Sequence, residues 1–391
     1  MYDVIVVGCG LTGAVIARCL AEKGFRVIIL EKRDHVAGNM YDYIDNHGFL
    51  VQKYGPHVFH TQKKNIYDFI CKYEIWNSYK LTCGAIWNNK YTPVPFNFMT
   101  IDTFFPPQKA YILKKKLKVI YKNRERVTIF DILNIKDSDI REYAEYLLEN
   151  DYAPYAIKQW GVSFKKIDPS VLRRVPLRLS YDVGYFDDPY QVLPVHSYVH
   201  FFKNLIGHPN IHIKLREDAL KYLSIDTDKV YLLGKEFTKL VIYTGPIDEF
   251  FEYKYGKLPY RSLKFIWKYT DKESFQCAPI VAYPQEKRFT RITEYKKLPN
   301  QNKYGSSYAI ECPLAYCKNN GIEPYYPVLT EDSQKQYKKY KQLANRIKNL
   351  ICCGRLGDFK YYNMDQALER ALDICNRIER RGADELRRLI V

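Results

Sequence analysis

The sequence predicts an α/β chain with a parallel sheet at its N-terminal end, on three observations. Tyr2-Asp3-Val4-Ile5-Val6-Val7 is a short apolar run of the kind buried on both faces. Gly8-Cys9-Gly10-Leu11-Thr12-Gly13 follows as a tight turn opening a helix, and Gly24 falls where that helix needs a left-handed C-cap. Arg26-Val27-Ile28-Ile29-Leu30 is a second apolar strand, closed by Glu31. Strand, glycine turn, helix and acid-ended strand together read as a Rossmann-type dinucleotide-binding unit.

Each residue of the turn has a physical reason to be there. Gly8 permits the turn, Gly10 lets the backbone approach a pyrophosphate, and Gly13 allows close helix packing. Leu11 and Thr12 begin the helix, whose free N–H groups and partial positive charge suit an anion. Glu31 can accept hydrogen bonds from a ribose diol. The basic pair Lys32-Arg33 and the turn Gly38-Asn39-Met40 follow at once. A second glycine element, Gly354-Arg355-Leu356, stands between a strand and a helix near the other end of the chain. Two contacts so far apart suit a long dinucleotide, which favours FAD over NAD.

Further along, helical periodicity runs from about Ile101 to Tyr152. Strand-like runs recur at Lys239–Tyr243, Leu263–Trp267 and Ala278–Ala282, and again at Asn349–Cys353. Gln334–Asn349 and Met364–Arg381 read as helices, the second continuing into a basic, solvated stretch. A length of 391 residues calls for two or three domains. No run is apolar enough for a membrane span, and the chain opens into a strand rather than a leader, so a cytoplasmic enzyme is expected. The ten cysteines show no CxxC pair and read as reduced, buried thiols. The formal charge of +17 favours anionic partners, whether nucleic acid, anionic membrane or phosphorylated small molecules; no nucleic-acid motif is present, and a generally solvated basic surface accounts for most of the excess. Tyrosine, at 36 residues, supplies flat faces and hydroxyls for nucleobases and sugars.

Several segments resemble the UDP-galactopyranose mutases, in family order. They are Tyr54 to Thr61, Lys158-Gln159-Trp160-Gly161, Arg173 to Pro176 leading to Gly184-Tyr185-Phe186, Tyr243 to Asp248, Tyr260 to Leu263, Phe289-Thr290-Arg291, Glu323 to Pro327, Gly354-Arg355-Leu356 and Lys360 to Met364. The resemblance implies an α/β fold of three parts. These are a discontinuous FAD-binding Rossmann-type domain over 1–80, 200–245 and 335–391, a helical domain over 98–170, and an antiparallel-sheet substrate domain over 81–97, 171–199 and 246–334. It also implies an isomerase that interconverts UDP-galactopyranose and UDP-galactofuranose, with the N-acetylgalactosamine forms left open. FAD would be active when reduced, its N5 attacking the anomeric carbon and displacing UDP.

Site roles follow from the same resemblance. Arg174 and Arg291 would contact the diphosphate, a task that suits a permanently charged fork of donors. Tyr155 would stack on uracil beside Trp160, and Tyr185, Tyr326 and Tyr361 would hydrogen-bond the diphosphate. Arg355 would lie near flavin and sugar. His60 would bond either the flavin ring or the sugar, and His57 would belong to the cofactor site with Lys32, Gly38, Asn39, Gly354, Asn363 and Met364. Asn363 departs from the Asp common in relatives, which leaves a base there in doubt. His57 and His60 lack a third ligand at metal-binding spacing, so no metal is expected. A homodimer and a role in cell-wall polysaccharide synthesis complete the expectation. The alternative is an FAD-dependent oxidoreductase of the amine-oxidase-like class, which shares the early glycine turn and acid.

Overall fold

The computed structural model describes residues 2–173, 175–318 and 321–380. Its first unit is a five-stranded, all-parallel sheet in the order Ile211–Leu215, Val27–Glu31, Val4–Val7, Leu240–Tyr243, Leu350–Cys352. The period-two alternation of the strands decides what covers each face. Val4, Val6, Val27 and Ile29 pack with Leu11–Glu22 side chains such as Val15, Ile16 and Leu20, and with Leu368, Ala371 and Ile374 of the C-terminal helix. Ile5, Ile28 and Val241 point the other way, onto Tyr337, Tyr340 and Leu343 of the helix Glu331–Arg346. The sheet is therefore a middle layer between helices, as the continuous apolar runs required.

A helical unit follows. Phe98–Phe104 begins on a capping box between Asn97 and Thr100, and Pro107–Ile120 carries proline in its first turn, where no N–H is missed. These helices and Ser138–Leu147 close over a core of Leu113, Leu117, Ile140, Tyr143 and Leu147. A single π-type turn, Leu148–Tyr152, then leads into the helix Ala153–Trp160.

The second large sheet has seven strands, in the order Tyr326–Pro327, Tyr260–Thr270, Ser306–Ala315, Arg291–Glu294, Ile280–Ala282, Cys83–Trp87, Lys90–Val94. It departs from the pure antiparallel sheet expected, because Ile280–Ala282 runs parallel to Cys83–Ala85. Tyr190–Pro194, read with the sheet domain, pairs instead with Phe59–Thr61 and Trp76–Ser78 from the N-terminal stretch. The expected burial of the thiols also needs correction: Cys9, Cys83, Cys353 and Cys375 are buried, but Cys71, Cys277 and Cys317 are exposed.

Candidate active site

A cavity of about 430 Å³ opens beyond the carboxyl ends of the parallel strands. Its wall brings together Gly8, Gly10, Leu11, Thr12, Gly13, Glu31, Lys32, Gly38, Asn39, His57, Gly354, Arg355, Asn363 and Met364, residues from both ends of the chain. The glycines there do different work. Gly8 has φ +98°, and a Cβ on it would sit 2.3 Å from Thr244 Oγ1. A Cβ on Gly13 would lie 2.1 Å from the Gly8 carbonyl oxygen, and one on Gly38 would lie 2.8 Å from Gly10 Cα. A Cβ on Gly10 would meet nothing within 4 Å. Gly8, Gly13 and Gly38 thus serve the packing of the turn, whereas Gly10 keeps open space clear. Gly10 is also the N-cap of the helix and gives no side-chain cap, so the N–H groups of the first turn look for an acceptor.

Glu31 is buried, its Oε2 accepting from Cys9 N at 2.7 Å and its Oε1 from Arg33 N at 2.9 Å. Its carboxylate is therefore a strut of the turn as well as a hydrogen-bond acceptor in the wall. Arg33 stacks over Tyr54 at 4.5 Å, donates from Nη2 to Asn39 Oδ1 at 2.9 Å, and pairs with Glu323 at 3.3 Å. Its Nη1 is buried without a partner beside the cavity. Lys32 reaches the same Glu323 at 2.8 Å. Burial pushes the Glu323 carboxyl up, but Arg33 and Lys32 outweigh it and hold the group below its ordinary range.

A glycine cradle, an uncapped helix start and an orphaned guanidinium nitrogen fit a dinucleotide with its pyrophosphate at the turn. Asp358 fixes the far wall. Its Oδ2 accepts from Gly354 N, Tyr362 Oη and Arg370 Nε, each at 3.1 Å. Arg355 is aimed by donating to Tyr362 O at 2.7 Å and to Tyr325 O at 3.4 Å.

The second compartment is aromatic and cationic. The rings of Trp160, Tyr326 and Tyr361 lie 5.3 to 5.9 Å apart, and Arg355 sits 5.3 Å from the Tyr361 ring and 5.8 Å from that of Tyr326. Arg291 donates from Nε to Glu311 Oε2 at 2.8 Å. It is enclosed by protein, yet 28% of its side-chain surface remains open, while Glu311 is 1% exposed. Burial works against its charge, but Glu311 together with Tyr155 and Tyr326 outweighs it and holds the guanidinium pKa well above its ordinary value. Tyr155 lies in the field of Arg291, Glu311 and Tyr361, and Tyr185 in that of Tyr155, Arg291 and Tyr361. Burial pushes the Tyr155 hydroxyl up to about 12 and raises those of Tyr185 and Tyr326 as well. These three tyrosines are thus neutral donors around a fixed cation.

Helix Ala153–Trp160, which carries two of these side chains, is pinned from outside the site. Arg261 donates to Gln159 O at 2.8 Å and Lys158 O at 3.1 Å, capping its C-terminus. Gly161, at φ +68°, makes room for that guanidinium, which a Cβ would meet at 2.4 Å.

His57 links the two compartments. It lines the cavity and feels both Arg355 and Arg291. Burial, then those two cations, bring its pKa down to about 4, so it is neutral at physiological pH. Its Nδ1 faces Gly55 O at 2.8 Å, which assigns the proton to Nδ1 and leaves Nε2 an acceptor. Gln52, absent from the sequence-derived site, accepts from the His57 N–H and donates to its carbonyl, the latter at 3.1 Å.

His60 is held apart, its Nδ1 2.9 Å from Asp188 Oδ2 and its ring stacked 3.6 Å from Phe186, outside the cavity wall. Arg174 lies outside the described residues. Gln52, Glu311, Arg33, Glu323 and Arg261 were missed as site residues. Only Arg33, in the basic pair after Glu31, and Glu323 and Arg261, inside motifs, carried any signal.

Fold and site together define a dinucleotide-binding α/β protein whose cofactor cavity adjoins a cationic, tyrosine-lined compartment. The family model of UDP-galactopyranose mutase matches residues 151–361, and that of an NAD(P)-binding Rossmann-like domain matches residues 6–73. A UDP-galactopyranose mutase of Mycoplasma pneumoniae is 32% identical over 378 residues, covering 95% of this chain and 94% of its own. A dTDP-fucopyranose mutase of Escherichia coli is 31% identical over 375 residues, covering 95% and 97%. A crystal structure of reduced UDP-galactopyranose mutase shares the fold, with a TM-score of 0.72 at 16% identity over 98% of this chain and 94% of its own. The chain belongs to the UDP-galactopyranose mutase family, a family of isomerases. The amine-oxidase alternative is a fold-level likeness: a horse flavin-containing amine oxidase A is 39% identical over only 64 residues, 16% of this chain, and a putrescine oxidase structure shares the fold over 97% of this chain with a TM-score of 0.56 at 10% identity.

Proposed function

We propose that this protein interconverts UDP-galactopyranose and UDP-galactofuranose, with FAD held in the glycine-lined cavity. The observation that carries the reading is the junction of the two compartments at His57 and Arg355, which would set a sugar beside a flavin. Bound and reduced, FAD would supply a nucleophilic nitrogen for the anomeric carbon.

The chain's own residues would do the rest. The N–H groups of Leu11 to Gly13 would receive the cofactor pyrophosphate, and Glu31 would use its remaining lone pairs for ribose hydroxyls. The buried Nη1 of Arg33 would gain the acceptor it lacks. Arg291, its Nε already committed to Glu311, would turn its two Nη groups to the substrate diphosphate. There it would steady the charge that grows as UDP departs. Arg174 would join it, as the family resemblance implies. Tyr155 and Trp160 would hold the uracil, and the hydroxyls of Tyr185, Tyr326 and Tyr361 would bond the diphosphate. His60, tied to Asp188, would act from the rim on flavin or sugar.

Ten unpaired thiols, three of them exposed, support a reducing, cytoplasmic setting. Tyr111, Ile112, Val119 and Ile120 of the helix Pro107–Ile120 are exposed, and this apolar surface supports a homodimer. No described helix is long and apolar enough to cross a membrane.

The test is chromatography of dithionite-reduced, FAD-loaded enzyme incubated with UDP-galactofuranose, with UDP-N-acetylgalactofuranosamine and dTDP-fucofuranose in parallel. UDP-galactopyranose is the expected main product. Conversion of dTDP-fucofuranose alone would move the reading to that sugar, and conversion of none would overturn it.

A further inference from the structure

A second site lies outside the cavity, where Glu74, His196 and His200 converge from two segments far apart in sequence. Glu74 sits between the helix Lys64–Cys71 and the strand Trp76–Ser78. His196 follows the strand Tyr190–Pro194, and His200 stands in the first turn of the helix Tyr198–Ile206. The Glu74 carboxylate is 1% exposed, with Oε1 2.9 Å from His196 Nδ1 and Oε2 2.6 Å from His200 Nδ1. The two rings are 4.5 Å apart, and the side chains of His196 and His200 are 55% and 45% exposed.

We propose that Glu74, His196 and His200 form a divalent-cation site of the zinc type, with water completing the coordination. The donor set, two imidazoles and a carboxylate, is one that Zn²⁺ takes, and three protein ligands with an open position is a known arrangement. All three ligand atoms lie within 4.8 Å of one another. Ligand atoms about 2.0–2.2 Å from a tetrahedral ion stand roughly 3.3–3.6 Å apart. Small adjustments of exposed rings would therefore admit it.

Charge supports the same conclusion. The buried carboxylate has one backbone donor, Ile75 N at 2.8 Å, besides the two rings. Protonating both crowded rings sets like charges against each other, whereas an ion between three ligands neutralises the anion at once. Binding through Nδ1 requires each ring to carry its proton on Nε2, a tautomer open to half-exposed imidazoles. A bound ion would clamp the strand Tyr190–Pro194, which pairs with Phe59–Thr61 next to His57. The cluster is invisible as a sequence pattern, because Glu74 is separated by 122 and 126 residues from its partners.

The experiment is calorimetric titration of chelator-stripped, FAD-loaded full-length protein with Zn²⁺, comparing the parent with the His196→Gln/His200→Gln variant. Glu74 is left intact because it is buried. The parent should bind one more equivalent than the variant, and Zn²⁺ should raise the melting temperature of the parent alone. Flavin content should match in the two proteins. Equal stoichiometry in parent and variant, or no Zn²⁺ binding by the parent up to millimolar concentration, would overturn the proposal. Anomalous diffraction at the zinc edge gives an independent reading: a peak between Glu74 and the two rings supports the site, and a peak only elsewhere refutes it.

Discussion

Gly10→Ala separates what the glycine turn does for the fold from what it does for a ligand. Gly10 has φ −78° and ψ −179°, a region open to alanine, and its Cβ would touch nothing within 4 Å. Alanine restricts the unfolded chain, worth about 0.4–1 kcal/mol, and is a poorer N-cap than glycine by a similar amount. These terms offset, so the apoprotein should keep its stability to within about 1 kcal/mol. With FAD bound as proposed, the same methyl would enter the space the pyrophosphate needs, and overpacking costs about 1–3 kcal/mol. At 1.36 kcal/mol per decade, FAD should bind about 5- to 160-fold more weakly. Gly13→Ala is the contrast, since its Cβ meets backbone oxygen at 2.1 Å and must disturb the fold itself. The assay pairs thermal melting of the apoprotein with FAD titration by flavin fluorescence. Unchanged melting together with unchanged FAD affinity in Gly10→Ala would refute the assignment of this cavity.

Arg291→Lys keeps the charge but leaves one nitrogen to serve both Glu311 and substrate. Losing a charge-assisted hydrogen bond worth about 1.5–3 kcal/mol should lower kcat/KM about 13- to 160-fold at unchanged flavin content, and a change under twofold would count against the diphosphate role. Glu31→Gln should lower apoprotein stability and FAD affinity together, because one of the N–H groups of Cys9 and Arg33 loses its acceptor at about 1–3 kcal/mol. An unchanged melting temperature would show that Glu31 is not a strut of the turn. His57 has a folded pKa near 4, below its unfolded value, so the unfolded chain takes up a proton first as pH falls. Stability from this residue is full above about pH 6.5 and is lost towards pH 4, by about 3 kcal/mol. Asp42 and Asp248, raised to about 6 by burial, act in the opposite sense, so the measurement is the difference in urea stability between parent and His57→Asn. A difference that does not change with pH would contradict a buried neutral His57.

The sequence made the first unit legible because its constraints are local. The turn from Gly8 to Gly13 and the acid at Glu31 sit within a few residues of the strands that position them, and the apolar runs fix four of the five strands to within two residues, whereas Ile211–Leu215, a half-exposed edge strand, escapes such a reading. The seven-stranded sheet was only glimpsed, since its partners, such as Cys83–Trp87 with Ile280–Ala282, meet across almost two hundred residues. The residues that aim the site were hidden for the same reason. Glu311 and Gln52 look like ordinary polar residues until the fold lays them against Arg291 and His57. Phe186 was visible in a motif, but not that its ring and Asp188 would hold His60 away from the cavity wall.

The proposed function requires the cofactor cavity and the arginine–tyrosine compartment to work as one isomerase site. Its most direct test is the initial rate of UDP-galactofuranose conversion by the same FAD-loaded preparation, oxidised and after dithionite reduction, with oxygen uptake followed alongside. The expected result is turnover confined to the reduced enzyme, yielding UDP-galactopyranose with no oxygen consumed per conversion. Equal rates in both states, or oxygen consumed in step with substrate, would contradict it.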